Sequence, residues 1–272
     1  MRLGAIGDRL YADFAMPSRL PAYRAMLRTM LDAGYRIWSI EGFWRAIRDD
    51  GATPEGRHVV VRHDVDTDPR TAAAMWAIDR SLGVVGSYYF RLSTIDAPLM
   101  RDIVAGGGEA SYHYEELATL AKRHGIDRPE DARRRIPEAQ ARFRANLTRL
   151  RASVGVPMSV VASHGDFVNR HLGIPNTAVL ADLDFRASVG VELEAYDEAF
   201  AGRATSRSSD TLHPRYWIPE DPLDAVRRGE PVISLLVHPR HWYARRVANA
   251  VDDVGRVGED VAYRARAWLR RR

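Results

Sequence analysis

Cysteine is absent from all 272 residues. Disulfides and thiolate metal sites are therefore excluded, and any metal must be held by histidine and carboxylate. Lysine is nearly absent too. Lysine and arginine together number 40, and Lys122 is the only lysine, which leaves 39 arginines. That bias reads as genome base composition, because 36 acids are interleaved with the arginines and the formal net charge is only +4, despite a pI near 9.5. No basic face or aromatic–basic alternation marks a nucleic-acid surface, so no nucleic-acid partner is expected. The terminal arginines (Arg264, Arg266, Arg270, Arg271, Arg272) read as a solvated helix end. No apolar run is long enough for a signal peptide or a membrane span, so a cytoplasmic protein is expected.

What is present centres on HVVVRHDVDTDP, residues 58 to 69. Val59, Val60 and Val61 read as a fully buried strand that runs on into Arg62, His63, Asp64, Val65 and Asp66. Side chains alternate across a strand, so Asp64 and Asp66 share a face. Two adjacent carboxylates repel, and the arrangement persists where a cation or a shared proton offsets the repulsion. Asp66 could cap the following helix, but Asp68, directly before Pro69, holds the better cap position.

The rest of the chain alternates strands with helices. Residues 1 to 16 read as an irregular arm. Helical periodicity follows over 17–34, with strands at 35–39, 84–91, 109–114, 157–163, 189–194 and 231–237 besides the one above. Helices are expected at 41–48, 69–82, 97–104 and, as one long element, 129–154, with a loop-rich stretch over 175–230. An apolar share of 46% and this alternation predict one α/β domain: a distorted (β/α) TIM-like barrel with about seven strands. Its core spans about 17–245, and a C-terminal helical extension spans about 246–272.

Four strands end in ionisable clusters: Asp64 with Asp66, His113, His164, and His238 with His241. In a βα barrel such strand ends converge on one site. Asp66, His113 and His164 make an N/O set suited to a divalent metal, zinc first. Asp64 is placed as general base on water, and His238 as the protonated donor to a leaving group. Arg62 or His63 orients Asp64, while His241 and Trp242 wall the pocket. His58, His124, His171 and His213 carry no supporting pattern and read as surface or loop residues. The parts describe metal-assisted hydrolysis of an amide or ester.

RHDVD after a valine strand, GEASYHYEEL, VVASHGDF and ISLLVHPRHW, in that order, resemble the polysaccharide deacetylase superfamily (carbohydrate esterase family 4, NodB homology), over roughly residues 17 to 245. The resemblance implies a distorted (β/α) barrel and removal of an acyl group, acetyl first, from an N-acylated sugar or related small amide. It implies Asp64 as base, Asp66 as metal ligand and His113 as the first histidine of the second motif. Four residues on, where the family has its second histidine, this chain has Leu117. Glu115 or Glu116 could substitute, and His164 is the better candidate. Leu236-Val237-His238 matches the last motif and implies His238 as general acid. Arg62, Tyr114, Glu116, His241 and Trp242 are expected to line a saccharide site. The departure at Leu117 leaves a second expectation open: a catalytically impaired member that binds metal or carbohydrate.

Overall fold

The computed structural model describes residues 3–212 and 214–270. Its sheet is organised on β2 (Arg57–Val65), buried from its second residue to its last. One edge of β2 is shared. Its first half pairs in parallel with β1 (Tyr35–Trp38), and its second half with β3 (Ser87–Phe90). The other edge pairs in parallel with β9 (Val232–Val237) from His58 to His63. Beyond β3 lie β4 (Glu109–Tyr114), β5 (Val160–Ser163) and β6 (Leu193–Glu194), all parallel. Beyond β9 lie β7 (Ser206–Ser209) and, antiparallel to it, β8 (Ile218–Pro219). The path β6-β5-β4-β3-β2-β9-β7-β8, with β1 off it, is a curled, mostly parallel α/β sheet, the expected distorted (β/α) barrel but incomplete, with nine strands among the described residues, two of them (β6 and β8) only two residues long.

Both faces of a parallel sheet must be covered. On the outer face of β2, Val59, Val61, His63 and Val65 meet α2 (Leu20–Asp32) and α4 (Pro69–Ser81) among their neighbours. Asp68 caps α4 by accepting from Thr71 N at 3.0 Å, with Pro69 in the first turn. On the inner face, Val60 packs with Val160, Ala162, Leu193 and Val232. Ile40, Phe43 and Ile47 of α3 (Ile40–Asp50) plug that interior.

Several expectations are corrected. Most of the stretch read as an irregular arm is helix α1 (Leu3–Phe14); residues 1 and 2 lie outside the described residues. The single helix over 129–154 is two, α7 (Pro129–Arg134) and α8 (Ile136–Val154), because Pro137 lacks an N–H and favours the start of a new helix. Between them and the rest, α5 (Ala97–Ala105) agrees with expectation, while α6 (Glu116–His124) was not anticipated. The strand over 189–194 shrinks to two residues because Val189 caps a short helix, Leu183–Ser188. His58 is buried rather than exposed, accepting from Trp38 Nε1 at 3.0 Å, and His213 lies outside the described residues.

His63 heads a buried polar network on the outer face. Its Nδ1 lies 2.9 Å from Ser87 O and its Nε2 2.7 Å from the Tyr23 hydroxyl. That hydroxyl also lies 2.7 Å from Asp79 Oδ1, and the Tyr88 hydroxyl donates to Asp79 Oδ2 at 2.7 Å. A neutral His63 donates through Nδ1 and accepts at Nε2. One Tyr23 hydrogen then faces two acceptors, and a proton on Asp79 resolves the shortage. Burial acts in the same direction: it lifts Asp79 to about 7 and lowers His63 to about 4.

Tyr23→Phe leaves a buried acceptor unpaired and should cost about 1–3 kcal/mol, read from urea unfolding. Asp79 has a raised folded pKa, so its contribution is present below its usual value of 3.8 and is lost as pH rises through about 7. Relative to Asp79→Asn, the native chain should therefore lose stability between about pH 4 and pH 7. A constant difference across that window would contradict a protonated Asp79.

Candidate metal centre

The strand ends on one rim carry the cluster. Asp64 lies in β2 and Asp66 just past it, with Asp66 N bonded to Asp64 O at 3.0 Å. His113 lies in β4. His164 follows β5, its N–H donating to Tyr114 O at 2.8 Å, and Asn176 Nδ2 donates to its carbonyl at 2.6 Å. These backbone bonds fix His164 beside the end of β4, and both imidazoles face Asp66. His113 Nε2 is 3.4 Å and His164 Nε2 3.6 Å from Asp66 Oδ1.

Asp66 Oδ1 is buried and has no hydrogen-bond partner. Burial pushes this carboxyl up, but the His164 and His113 imidazoles outweigh it and hold the group well below the usual carboxylate range. Two bonds of roughly 2 Å at a tetrahedral angle place donor atoms about 3.3 Å apart, close to both separations here. His113 Nδ1 lies 3.0 Å from Ala162 O, which fixes its hydrogen there and leaves the Nε2 lone pair facing the carboxylate. His164 Nδ1 faces Glu115 Oε2 at 3.4 Å, and Arg91 holds Glu115 through bonds of 2.8 to 3.0 Å. Asp66, His113 and His164 thus form a one-oxygen, two-nitrogen set with outer partners in place, and it suits a divalent cation such as zinc.

Asp64 is oriented by Arg62, not by His63, which faces the other side of the sheet. Arg62 Nε donates to Asp64 Oδ1 at 2.6 Å and Nη2 to Oδ2 at 2.8 Å. Burial raises the Asp64 carboxyl, Arg62 outweighs that, and the group stays ionised. His113 Nε2 lies 3.4 Å from Asp64 Oδ2, so one imidazole bridges both aspartates.

His238 follows β9 and is held by Asp210, which follows β7. His238 Nδ1 lies 2.6 Å from Asp210 Oδ1, and His238 N donates to Oδ2 at 2.8 Å. Trp242 Nε1 donates to the same Oδ2 at 3.0 Å, and His241 Nδ1 is 3.2 Å from Oδ1. Burial lowers the His238 imidazole, but Asp210 outweighs it and carries it to about 9, with Asp66 and Asp64 adding to the shift. His238 is thus protonated at neutral pH, with Nδ1 committed and Nε2 left over. Cavities of about 340 Å³ beside Arg62 and about 410 Å³ beside His164 flank the cluster, and Tyr196 lines both.

Two of the residues expected to line the site do not reach it. Tyr114 is buried in the core against Phe143, since it alternates with His113 on β4. Glu116 turns into the helical layer, accepting from Tyr112 OH at 2.6 Å and Asn146 Nδ2 at 3.0 Å. Leu117 is likewise core. Sequence reasoning missed Asp210, Glu115 as the partner of His164, and Arg91. Asp210 sits in a serine-rich, loop-like stretch without apolar alternation. Arg91 alone carried a signal, as a charge at a strand end.

No family model matches the chain, and no curated protein does. Among solved structures, a Streptococcus pyogenes deacetylase, PplD, in complex with acetate is 13% identical, with a TM-score of 0.45 over 70% of this chain and 75% of that one. A family 4 carbohydrate esterase from Streptomyces lividans in complex with acetate is 13% identical, with a TM-score of 0.36 over 74% and 90%. A mutant of a CE4-family pseudoenzyme with restored enzymatic activity is 12% identical, with a TM-score of 0.40 over 75% and 65%. At such identity the functional reading rests on the residues themselves.

The metal-free chain should take up one equivalent of zinc, counted by elemental analysis after gel filtration. His113→Ala or Asp66→Ala should abolish uptake, and Glu115→Gln should weaken it about 10–100-fold. Undiminished uptake by the His113 and Asp66 variants would exclude this centre.

Proposed function

We propose that the chain is a metal-dependent hydrolase that removes an acyl group, acetyl being the simplest, from an N-acylated sugar or related small amide. The observation that carries this reading is the orphaned, buried Asp66 Oδ1 facing two imidazole nitrogens, on the same rim as an ionised aspartate and a protonated histidine. A divalent cation held by Asp66, His113 and His164 would supply Lewis-acid polarisation of the acyl carbonyl and make water more acidic.

The chain's own groups divide the proton work. Asp64 is ionised, and the lone pairs that Arg62 leaves open can accept a proton from attacking water. Its lowered pKa keeps it ready but makes it a modest base. His238 carries a proton at Nε2, because Nδ1 is committed to Asp210. Donating that proton to the departing nitrogen lets the amine leave neutral. Trp242 Nε1 donates to the Asp210 oxygen that also accepts from His238 N, and His241 faces the other oxygen, which fixes the carboxylate and so keeps the imidazole aimed. The flanking cavities give room for a small substrate on either side of Tyr196.

One observation favours a second reading. Both Asp64 oxygens already accept from buried Arg62. An aspartate so clamped would also serve a member of this fold that binds metal or carbohydrate without catalysis.

Zinc-loaded protein should release acetate from some member of a panel of N-acetyl sugars and nucleotide sugars, with kcat falling about 10²–10⁴-fold in Asp64→Asn and His238→Ala. Asp210→Asn removes the charge that raises His238. The general acid should then lose its proton at lower pH, and the alkaline limb of the rate profile should move down. Stoichiometric metal with no acyl release anywhere in the panel would decide for the non-catalytic reading.

A further inference from the structure

The interior of the incomplete barrel is not filled. On the inner face of β9, Val232, Ser234 and Leu236 stand level with His58, Val60 and Arg62 of β2. Ile40 and Phe43 of α3 lie against this face, and Ala195, Ala201 and Ala204, from the chain between β6 and β7, stand across from it. The space between them is the cavity of about 340 Å³ beside Arg62. Protein interiors seldom hold a void larger than a water molecule, and a small closed barrel fills its interior with side chains. Here three alanines and a serine stand where larger side chains would close the space.

This cavity begins one step below the groups that move protons. Asp64 and His238 follow Arg62 and Leu236 by two residues along β2 and the end of β9, a step of about 6.6 Å on the same face. Building on the proposed hydrolase reading, we infer that the acyl group removed is an apolar chain of medium length rather than acetyl, and that it lies in this cavity. A carbonyl carbon set between Asp64 and His238 directs one substituent down the inner face, past Leu236 toward Val232. The cavity beside His164 shares only Tyr196 with it and takes the amine part. Leu236 to Val232 is a span of about 13 Å, the reach of roughly eight to ten carbons at about 1.5 Å per bond. The walls select hydrocarbon. Ile40, Phe43, Val60 and Val232 are buried and apolar. A sugar ring against them would leave hydroxyls unpaired, whereas each methylene gains from burial. Of the charged side chains at the cavity, Arg62 is committed to Asp64, and Glu198 and Arg207 are exposed.

N-acylglucosamines carrying acetyl, butanoyl, hexanoyl and octanoyl groups test the chain length directly. On zinc-loaded protein kcat/KM should rise about fourfold for each added methylene until the cavity is full. Ser234→Leu and Ala204→Trp each narrow the cavity and should lower the ratio of hexanoyl to acetyl release by about tenfold or more, with urea unfolding to show that each variant is folded. Acetyl release as fast as hexanoyl release would overturn the inference and leave the hydrolase reading standing. A binding measurement is independent of catalysis. By isothermal titration, hexanamide should bind the metal-free chain about 100-fold more tightly than acetamide, and Ser234→Leu should remove that advantage. Equal binding of the two amides would overturn the inference whatever the activity. Tight hexanamide binding with no acyl release from any of the four sugars would strike the hydrolase reading and keep the cavity as an acyl-chain site.

Discussion

Two carboxylates two residues apart at one buried strand end, Asp64 and Asp66, set the demand that the rest of the site meets. Asp64 is buried and Asp66 buries its Oδ1; burial raises the pKa of each, yet each is held ionised. The offsets differ. Arg62, on the same strand face, neutralises Asp64 with two short donors. Asp66 has no such permanent cation and faces only His113 and His164. Neutral imidazoles present lone pairs, and a carboxylate among lone pairs is unstable without something positive between them. In the chain alone, a proton on His164 meets that need: burial lowers its pKa, Asp66 outweighs this, and the value rises to about 9. A divalent cation meets the same need and would displace that proton. The difference between the two aspartates, one paired within the chain and one not, is why they can hold different jobs.

The incomplete barrel makes this possible because β2 serves two surfaces. Inward, Arg62 and Asp64 rise above Val60 toward the rim. Outward, His63 is locked against Tyr23, Asp79 and Ser87, stacked on Tyr88 at 3.9 Å. Glu109 repeats the device in the interior. Burial lifts it to about 7, and it takes bonds from Ser87, Tyr89 and the Glu41 N–H, tying α3 to β3 and β4. These networks hold the strands on either side of the cluster with directional bonds, and a half-closed sheet needs them because it lacks the ring of neighbours of a closed barrel.

Much of this was legible in the sequence because strand alternation and strand ends leave strong signals. The valine run located β2, alternation put Asp64 and Asp66 on one face, and parallel βα order placed His113, His164 and His238 on the same rim. The failures have physical causes. Tyr114 sits one residue from His113, and a period of two sends such a neighbour to the opposite face, whereas Glu116 opens α6 and turns with that helix toward Tyr112 and Asn146. The serine-rich β7 is buried on one face without apolar residues, so no hydrophobic pattern announced it or the Asp210 that follows. The first helix leaves Leu10 and Tyr11 half exposed and buries Ala12 and Asp13, so its apolar pattern did not mark the buried face. Partners such as Glu115 and Arg91 meet only once three strands are assembled, which a linear reading does not reach.

His164 and His238 show why geometry, rather than charge alone, separates the roles. Both are lifted to about 9 and both are offset by an aspartate. In His238 the aspartate binds Nδ1, with the backbone N–H and Trp242 fixing the same carboxylate, so the proton at Nε2 has no acceptor within the pair. In His164 it is Nε2 that faces the aspartate, and Nδ1 faces a second carboxylate, Glu115, itself held by Arg91. An imidazole whose outer nitrogen is backed by a carboxylate, and whose inner one faces an orphaned oxygen, is built to give a lone pair. An imidazole backed on one nitrogen and open on the other is built to give a proton. Under the proposed function, exchanging those surroundings would exchange the two roles, with no change in either histidine.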